Sequence, residues 1–262
     1  MRRANYGGPG YVQFGPGMMT PMVKGLIYAN VAVFIVMELA PTGLRSWLVE
    51  VFAFTPASAL ERFYIWQPVT YMFMHGGVFH ILFNMLVLWM FGVQLERLWG
   101  SRFFLKFYLV AGAGAAIVTL VACWLPFSFA PMTYITPTIG ASGATYGLLL
   151  GFALYYPEAP ILMFLMFPIP AKYFVMILGA ISFISAPRGG GVAHVTHLGG
   201  LLAGYLFLRQ YRTASGQRLG FGRLGLMADI KYRWVKWKMN RLRKRFDVHQ
   251  GGKDTDWDKR IH

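Results

Sequence analysis

The 262-residue sequence has few charged residues and a single cysteine. Charged residues make up 13% of the chain, against about 25% in a typical soluble domain, whereas 56% of the residues are hydrophobic. A soluble fold of this length cannot bury so much apolar surface, so the expected solvent is lipid. The lone Cys123 lies in an apolar run, which excludes a disulfide framework or thiolate metal cluster and is typical of a small buried hydrophobe.

Three long stretches lack Asp, Glu, Lys and Arg altogether: residues 63–95, 107–157 and 189–208. Mostly apolar stretches of roughly 18 residues or more are typical of membrane helices. The sequence therefore predicts an all-α, polytopic membrane protein with six transmembrane helices. The predicted spans are residues 22–40, 78–95, 104–124, 141–157, 171–186 and 193–210. The long connection 41–77 is rich in aromatic residues, and we expect it to lie in the membrane interface.

The net charge of +15 is concentrated at one end of the chain. Residues 209–262 hold 15 of the 25 Lys and Arg residues. If both termini are cytoplasmic, 22 Lys and Arg residues face the cytoplasm and three face outside, as the positive-inside rule requires. We expect three regions: a flexible Gly/Pro-rich arm over 1–20, a six-helix domain over 21–210 and a basic cytoplasmic tail over 211–262. The expected location is the bacterial cell (inner) membrane.

The tail contains a helical stripe of apolar residues surrounded by Lys and Arg. The stripe consists of Val235, Met239, Leu242 and Phe246. This pattern predicts an amphipathic helix on the anionic headgroups of the cytoplasmic leaflet. The alternative is a solvated basic tail that only sets topology. Binding to nucleic acid is not expected, because no recognition motif accompanies the charge.

Polar side chains recur in spans two, four and six, which this topology makes parallel. His80 and Asn84 lie one turn apart in span two, Ser142 opens span four, and His197 lies in span six. At 1.5 Å per residue, all four lie roughly 18–24 Å above the charged residues at the inner ends of their helices. Because the apolar core is about 30 Å thick, these residues fall in one layer. Polar groups at such depth are costly, which indicates function.

These residue types suit acyl transfer. A serine becomes a nucleophile beside a base, and His197 is the candidate base for Ser142. Asn84, His80 and the backbone N–H of Ser142 are candidate donors to an oxyanion. Spans four and six contain no Asp or Glu, so a Ser–His dyad is expected rather than a triad.

Small residues accompany this layer and predict that spans four and six pack closely. Glycines repeat every fourth residue in each span, a spacing that lets helices approach one another. These glycines are Gly143, Gly147 and Gly151 in span four, and Gly200 and Gly204 in span six. Tyr146 lies one turn from Ser142 on the same face, where its ring can stack on the imidazole of His197.

Taken together, these motifs resemble the rhomboid family of intramembrane serine proteases over about residues 20–210. The matching motifs are His80-x-x-x-Asn84, Gly140-x-Ser142-Gly143 with Tyr146, and His197-x-x-Gly200-x-x-x-Gly204. The stretch from Trp66 to Gly100, with Glu96 and Trp99, is also similar to the family. Two positions depart from it: Gln67 follows Trp66 where the family often has Arg, and Thr196 precedes His197 where a smaller residue is common.

The resemblance implies a six-helix rhomboid-like bundle that cleaves peptide bonds in or near transmembrane helices of membrane-protein substrates. It implies that Ser142 is the nucleophile and His197 the base, that His80 and Asn84 help to form the oxyanion hole, and that Tyr146 packs on the base. No metal or cofactor is implied. The sequence leaves the oligomeric state open.

Other functions fit the sequence less well. The main alternative is a catalytically silent rhomboid-like protein that binds or routes membrane clients, although such proteins usually lack the Ser or the His. A zinc site is disfavoured because no His is followed by Glu. A transporter is disfavoured because the sequence shows no intramembrane charged pair or broken-helix repeat, with Glu38 as the only candidate. His75 and His194 are assigned to interfacial or packing roles.

Overall fold

A computed structural model of the chain describes residues 17–126, 130–163, 166–187 and 191–214, together with Lys238. Most of these residues are helical, and the predicted all-α class is confirmed. The helices are α1 Pro21–Leu39, α2 Thr42–Phe52, α3 Pro56–Glu61, α4 Gln67–Thr70, α5 Val78–Val87, α6 Val93–Trp99, α7 Ser101–Ala122, α8 Ala130–Ile135, α9 Ser142–Tyr155, α10 Ala171–Ser185 and α11 Gly191–Ala214. A 3₁₀ turn, Tyr71–Phe73, follows α4, and a π-helical segment, Leu88–Gly92, joins α5 to α6.

The chain divides into two units, Met1–Leu219 and Gly220–His262. The helices above all belong to the first unit, and of the second unit only Lys238 is described. The predicted amphipathic stripe of the tail, and residues 1–16 of the predicted arm, lie outside the described residues.

Six helices coincide with the six predicted spans, within a few residues at each end. Three of them are long and apolar enough to cross a membrane by length and composition: Pro21–Leu39, Val78–Trp99 and Ser101–Ala122. Helix α10 is apolar but shorter. Apolar side chains on the outward faces, such as Ile35, Phe83 and Phe183, are at least half exposed. Such surfaces are suited to lipid rather than to water.

Helix α9 lies at the centre of the unit, where ten of its fourteen residues are buried. Helices α7 and α11 pack against it and against each other along faces rich in Gly and Ala. A Cβ added at Gly114 of α7 would lie 2.4 Å from the Cβ of Ala203 in α11. The backbones therefore approach as closely as small residues permit, which strengthens van der Waals packing where no hydrophobic effect drives association.

A two-stranded antiparallel hairpin between α9 and α10 was not predicted. Its strands are β1, Pro160–Met163, and β2, Phe167–Pro170, with Pro160 paired to Pro170. The run is apolar throughout, so it lacks the alternation that marks a half-buried strand. Strand and connecting loop cannot be separated by periodicity in such a run.

The connection 41–77 contains helices α2, α3 and α4 and is held together by side chains from α4 and from Trp66, the residue before it. The final carbonyls of α2 have no partner within that helix, and these side chains supply donors to them. Trp66 Nε1 donates to Val51 O at 2.8 Å, and Thr70 Oγ1 donates to Phe52 O at 2.7 Å.

Gln67 is the most enclosed of these α4 side chains, with no exposed surface. Its Nε2 donates to the carbonyl oxygen of Glu50 at 2.9 Å, and its Oε1 accepts the N–H of Thr55 at 3.1 Å. The amide therefore fills the position of the family's usual Arg with both a donor and an acceptor, whereas Arg has donors only.

A carboxylate from the first turn of α6 holds the start of α1. Glu96 is 3% exposed, and its oxygens accept the backbone N–H groups of Met22 and Val23 at 3.0 and 2.9 Å. The hydroxyls of Thr20 and Ser101 donate to the same carboxylate. An anion here satisfies the unpaired donors and complements the dipole at a helix N-terminus.

Candidate active site

Ser142 is the first residue of α9 and is half-buried. The chain turns into this helix at Gly140, whose φ of +115° is a conformation that favours glycine. A Cβ at Gly140 would lie 2.5 Å from Nε2 of His80, so glycine is also required by the close approach of that ring. The turn thus sets His80 beside the backbone that leads into Ser142.

The imidazole of His197, in α11, lies flat against the phenol ring of Tyr146 in α9. The ring centroids are 4.1 Å apart and the planes differ by 9°. His194, one turn earlier in α11, meets His197 edge-on at 6.1 Å. These contacts restrict the imidazole to one orientation on the side of α11 that faces α9.

Gly143, Gly147, Gly200 and Gly204 lie where α9 and α11 meet, whereas Gly151 faces Trp99 of α6 and Phe107 of α7. A Cβ added at Gly200 would lie 2.0 Å from the carbonyl oxygen of Gly143, and one added at Gly204 would lie 3.2 Å from Cα of Gly147. Gly143 also faces Ala115 of α7. This contact brings the first turn of α9, which carries Ser142, against the turn of α11 that follows His197.

His80 and Asn84 share one face of α5, as their spacing predicts. The side-chain Nδ2 of Asn84 donates to the carbonyl oxygen of His80 at 2.8 Å, which uses one of its two hydrogens. Asn84 is 6% exposed. The N–H of Gly76 donates to Nδ1 of His80 at 3.4 Å, so the ring proton of a neutral His80 is assigned to Nε2, the nitrogen beside Gly140.

The hydroxyl of Ser142 and the imidazole of His197 are not joined by a hydrogen bond in the part of the chain that the structure describes. Catalytic hydrogen bonds are often long or poorly aligned before substrate binds. Over the same residues there is no group of three or more His, Cys, Asp or Glu side chains arranged to hold a metal ion.

Two residues of the connection approach the site and were not assigned to it from sequence. Tyr71 is fully buried; its hydroxyl donates to Gly112 O at 2.8 Å and its carbonyl accepts the N–H of Gly140 at 2.9 Å. Burial raises the pKa of Tyr71, so the phenol remains a donor. His75, 1% exposed, accepts the N–H of Ala141 at 3.4 Å. The sequence predicts only an interfacial or packing role for His75, because the contact joins residues that are 66 positions apart.

Comparison with known proteins gives the family. The family model described as a rhomboid domain matches residues 62–212. The chain belongs to the rhomboid family. This rhomboid is accordingly a polytopic, helical integral membrane protein, and the match runs from the connection through the helices that carry His80, Asn84, Ser142 and His197.

Relatives of this rhomboid come from bacteria and from organelles. It is 30% identical over 196 residues to Rhomboid protein 1, mitochondrial, of Saccharomyces cerevisiae, covering 70% of this chain and 52% of that protein. It is 35% identical over 143 residues to Rhomboid protease GluP of Bacillus subtilis, covering 53% and 25%. It is 27% identical over 157 residues to Rhomboid protease AarA of Providencia stuartii, covering 56% of each. The chain thus spans about half the length of the first relative and a quarter of the second.

Proposed function

We propose that this rhomboid is an intramembrane serine endopeptidase that cleaves peptide bonds in or near transmembrane helices of membrane-protein substrates. The observation that carries the proposal is the close contact of α9 and α11 at Gly143 and Gly200, beside the stacked rings of Tyr146 and His197. This contact supports the proposal because the turn of α9 that carries Ser142 packs against the turn of α11 that follows His197. Two relatives, GluP and AarA, are named as rhomboid proteases.

In the proposed reaction His197 acts as the base and Ser142 as the nucleophile. As Oγ of Ser142 attacks the carbonyl carbon of the scissile bond, its proton passes to the imidazole. The imidazolium then gives that proton to the departing amine, which leaves an acyl-enzyme. Water, deprotonated by the same imidazole, attacks the ester and releases the acid and the free serine. Because the proposed dyad has no carboxylate to orient its base, the stacking of Tyr146 on His197 serves that purpose.

The oxyanion that forms during attack needs donors already in position. The Ser142 N–H is one of the first amides of α9 and has no partner within the helix. Nε2 of His80 lies beside the same backbone, and the second hydrogen of the Asn84 amide is not used by the bond to His80 O. We assign these three groups to the oxyanion hole.

The proposal is tested by incubating the purified protein in proteoliposomes with a model transmembrane substrate. Ser142→Ala and His197→Ala should abolish cleavage, and Asn84→Ala should lower kcat roughly 10- to 1000-fold. Ser46→Ala removes an exposed hydroxyl of α2 and should leave the rate unchanged. Full activity of Ser142→Ala refutes the assignment. Intact folding without cleavage of any helix-destabilised substrate favours the catalytically silent alternative.

We propose further that both termini are cytoplasmic, in the bacterial inner membrane, and that the basic tail contacts anionic headgroups. The proposal rests on the bias of Lys and Arg, 22 inside against three outside. Reporter fusions after residue 262 and at Arg45 in bacterial cells test the orientation: a cytoplasmic reporter should be active only at the first. The reverse result would refute the topology and with it the lipid contact of the tail.

A further inference from the structure

His75 is a buried, titratable side chain that the proposed reaction does not use. It lies between the 3₁₀ turn Tyr71–Phe73 and helix α5, and only 1% of its surface is exposed. Its Nε2 is 3.4 Å from the backbone nitrogen of Ala141, the residue before Ser142. Its ring also meets the ring of His80 edge-on, with centroids 5.0 Å apart at 68°. One side chain therefore touches both groups that border the oxyanion position.

The bond from Ala141 determines which backbone amide is available to substrate. Because the N–H of Ala141 is directed at His75, it does not point towards an oxyanion, and the next amide, that of Ser142, is left for that purpose. The preceding amide, that of Gly140, is directed at the carbonyl of Tyr71. Two successive amides are thus held by the connection, and this fixes the direction of the third.

The contact between the rings of His75 and His80 affects the second candidate donor, Nε2 of His80. The N–H of Gly76, the residue after His75, donates to Nδ1 of His80, which leaves the proton on Nε2 beside Gly140. The edge-on packing of the His75 ring restricts rotation of His80 away from that position.

From this arrangement we propose that His75 is a positioning residue, whose imidazole accepts the Ala141 N–H and supports the His80 ring so that the Ser142 N–H and His80 Nε2 converge. The inference rests on the proposed function, since these two donors are the ones assigned to the oxyanion hole. Acceptance at Nε2 requires a neutral ring. Burial, with a smaller contribution from His80, lowers the pKa of His75 to about 4, so the ring is neutral at physiological pH.

Isosteric variants test the role of the acceptor. Gln in place of His75 can put its amide oxygen near the position of Nε2, whereas Asn reaches only the position of Nδ1 and Leu offers no acceptor. We expect His75→Gln to keep kcat within about threefold, and His75→Asn and His75→Leu to lower kcat about 10- to 100-fold with KM nearly unchanged, a fraction of what loss of an oxyanion donor costs. Labelling of Ser142 by a fluorophosphonate should slow in the same order.

Met74→Leu is the matched control, because it changes the neighbouring buried side chain at nearly constant volume and should leave kcat unchanged. Thermal unfolding midpoints identify variants that fail to fold. If His75→Gln and His75→Leu lower kcat equally at equal stability, or if they change only KM, the proposed positioning role is wrong.

A measurement that needs no protease activity separates this inference from the proposed function. In ¹⁵N-labelled protein at pH 7, His75 should be neutral with its proton on Nδ1, and hydrogen exchange of the Ala141 amide should accelerate at least about tenfold in His75→Leu. A proton on Nε2, or unchanged exchange at Ala141, would overturn the inference even if Ser142 proves catalytic. If Ser142→Ala retains activity while the exchange result holds, the contact stands and only its link to catalysis falls.

Discussion

Gly200→Ala should disable the site from the face of α11 that packs against α9, one turn after His197. The new methyl carbon would lie 2.0 Å from the carbonyl oxygen of Gly143, 2.8 Å from its carbonyl carbon and 3.1 Å from its Cα. All three are backbone atoms, so no side chain can move to relieve the overlap. Ordinary contact needs about 3.4 Å or more, so the helices must separate by more than about 1 Å or tilt.

That separation acts directly on the distance between Ser142 and His197, because the two residues lie on the facing turns. A misplacement of about 1 Å costs on the order of 100-fold in rate, and overpacking of this kind costs about 1–3 kcal/mol in stability. Gly204→Ala should be milder, because its nearest backbone neighbour, Cα of Gly147, would lie at 3.2 Å.

The assay is single-turnover cleavage of a transmembrane substrate, with thermal unfolding followed in parallel. Gly25→Ala in α1 is the matched control: its Cβ would meet nothing within 4 Å, and Ala in a helix interior is favourable by about 0.5–1 kcal/mol. Wild-type cleavage and an unchanged midpoint in Gly200→Ala would refute the argument that this glycine sets the approach of α9 and α11.

Three further predictions concern buried polar contacts. The hydroxyls of Thr119 in α7 and Thr196 in α11 lie 2.9 Å apart. A double-mutant cycle of Thr119→Val and Thr196→Val, measured by thermal unfolding, should therefore give a coupling energy of about 0.6–1.7 kcal/mol. Additive effects of the two substitutions would contradict the pairing. Gln67→Arg leaves the Thr55 N–H without its acceptor and should cost about 1–3 kcal/mol in unfolding free energy, with Gln67→Met similar; a stabilised Arg variant would show that donors alone suffice. Glu96→Gln weakens the charged hydrogen bonds to the start of α1 and should lower the free energy of unfolding by about 2–3 kcal/mol, measured by chemical denaturation against wild type. An unchanged free energy of unfolding would show that this carboxylate does not stabilise α1.

The helices could be predicted because their signal is local. The absence of charge over spans such as 63–95 reports burial in lipid without reference to any other part of the chain. The four-residue glycine spacing likewise predicted which faces of spans four and six lie together. By contrast, the hairpin Pro160–Pro170 is apolar at every position, and a local pattern without a period cannot separate a strand from a loop.

Contacts between distant parts of the chain could not be predicted in the same way. His75 and Ala141 are 66 residues apart, and Thr20 and Glu96 are 76 apart. Neither pair belongs to a periodic pattern, and each depends on how several helices pack. Glu96, for example, directly follows the predicted span 78–95, but its burial and its bond to the start of α1 appear only in the structure.

Thr196 illustrates a departure from the family that the structure explains. Its hydroxyl pairs with Thr119 of α7, and its Cγ2 lies 3.4 Å from a Cβ position at Gly143. A bulkier residue before the base is accommodated because α7 offers a partner for its polar atom and glycine leaves room for its methyl group. The departure therefore adds a contact between α11 and α7 and does not move His197 away from Tyr146.

The connection 41–77 and the helix pair α9–α11 control different parts of the candidate site. The connection holds the approach to Ser142 at three nearby positions, because Phe54 exchanges two backbone hydrogen bonds with Thr138, Tyr71 O accepts from Gly140, and His75 accepts from Ala141. The helix pair instead sets the distance between hydroxyl and imidazole. Changes in the connection should therefore weaken oxyanion stabilisation while the basicity of the dyad persists, whereas changes at Gly200 should impair proton transfer from Ser142. Comparing the pH dependence of kcat for variants of the connection and for variants at Gly200 separates these effects. The pH profile of kcat should shift only for the variants at Gly200.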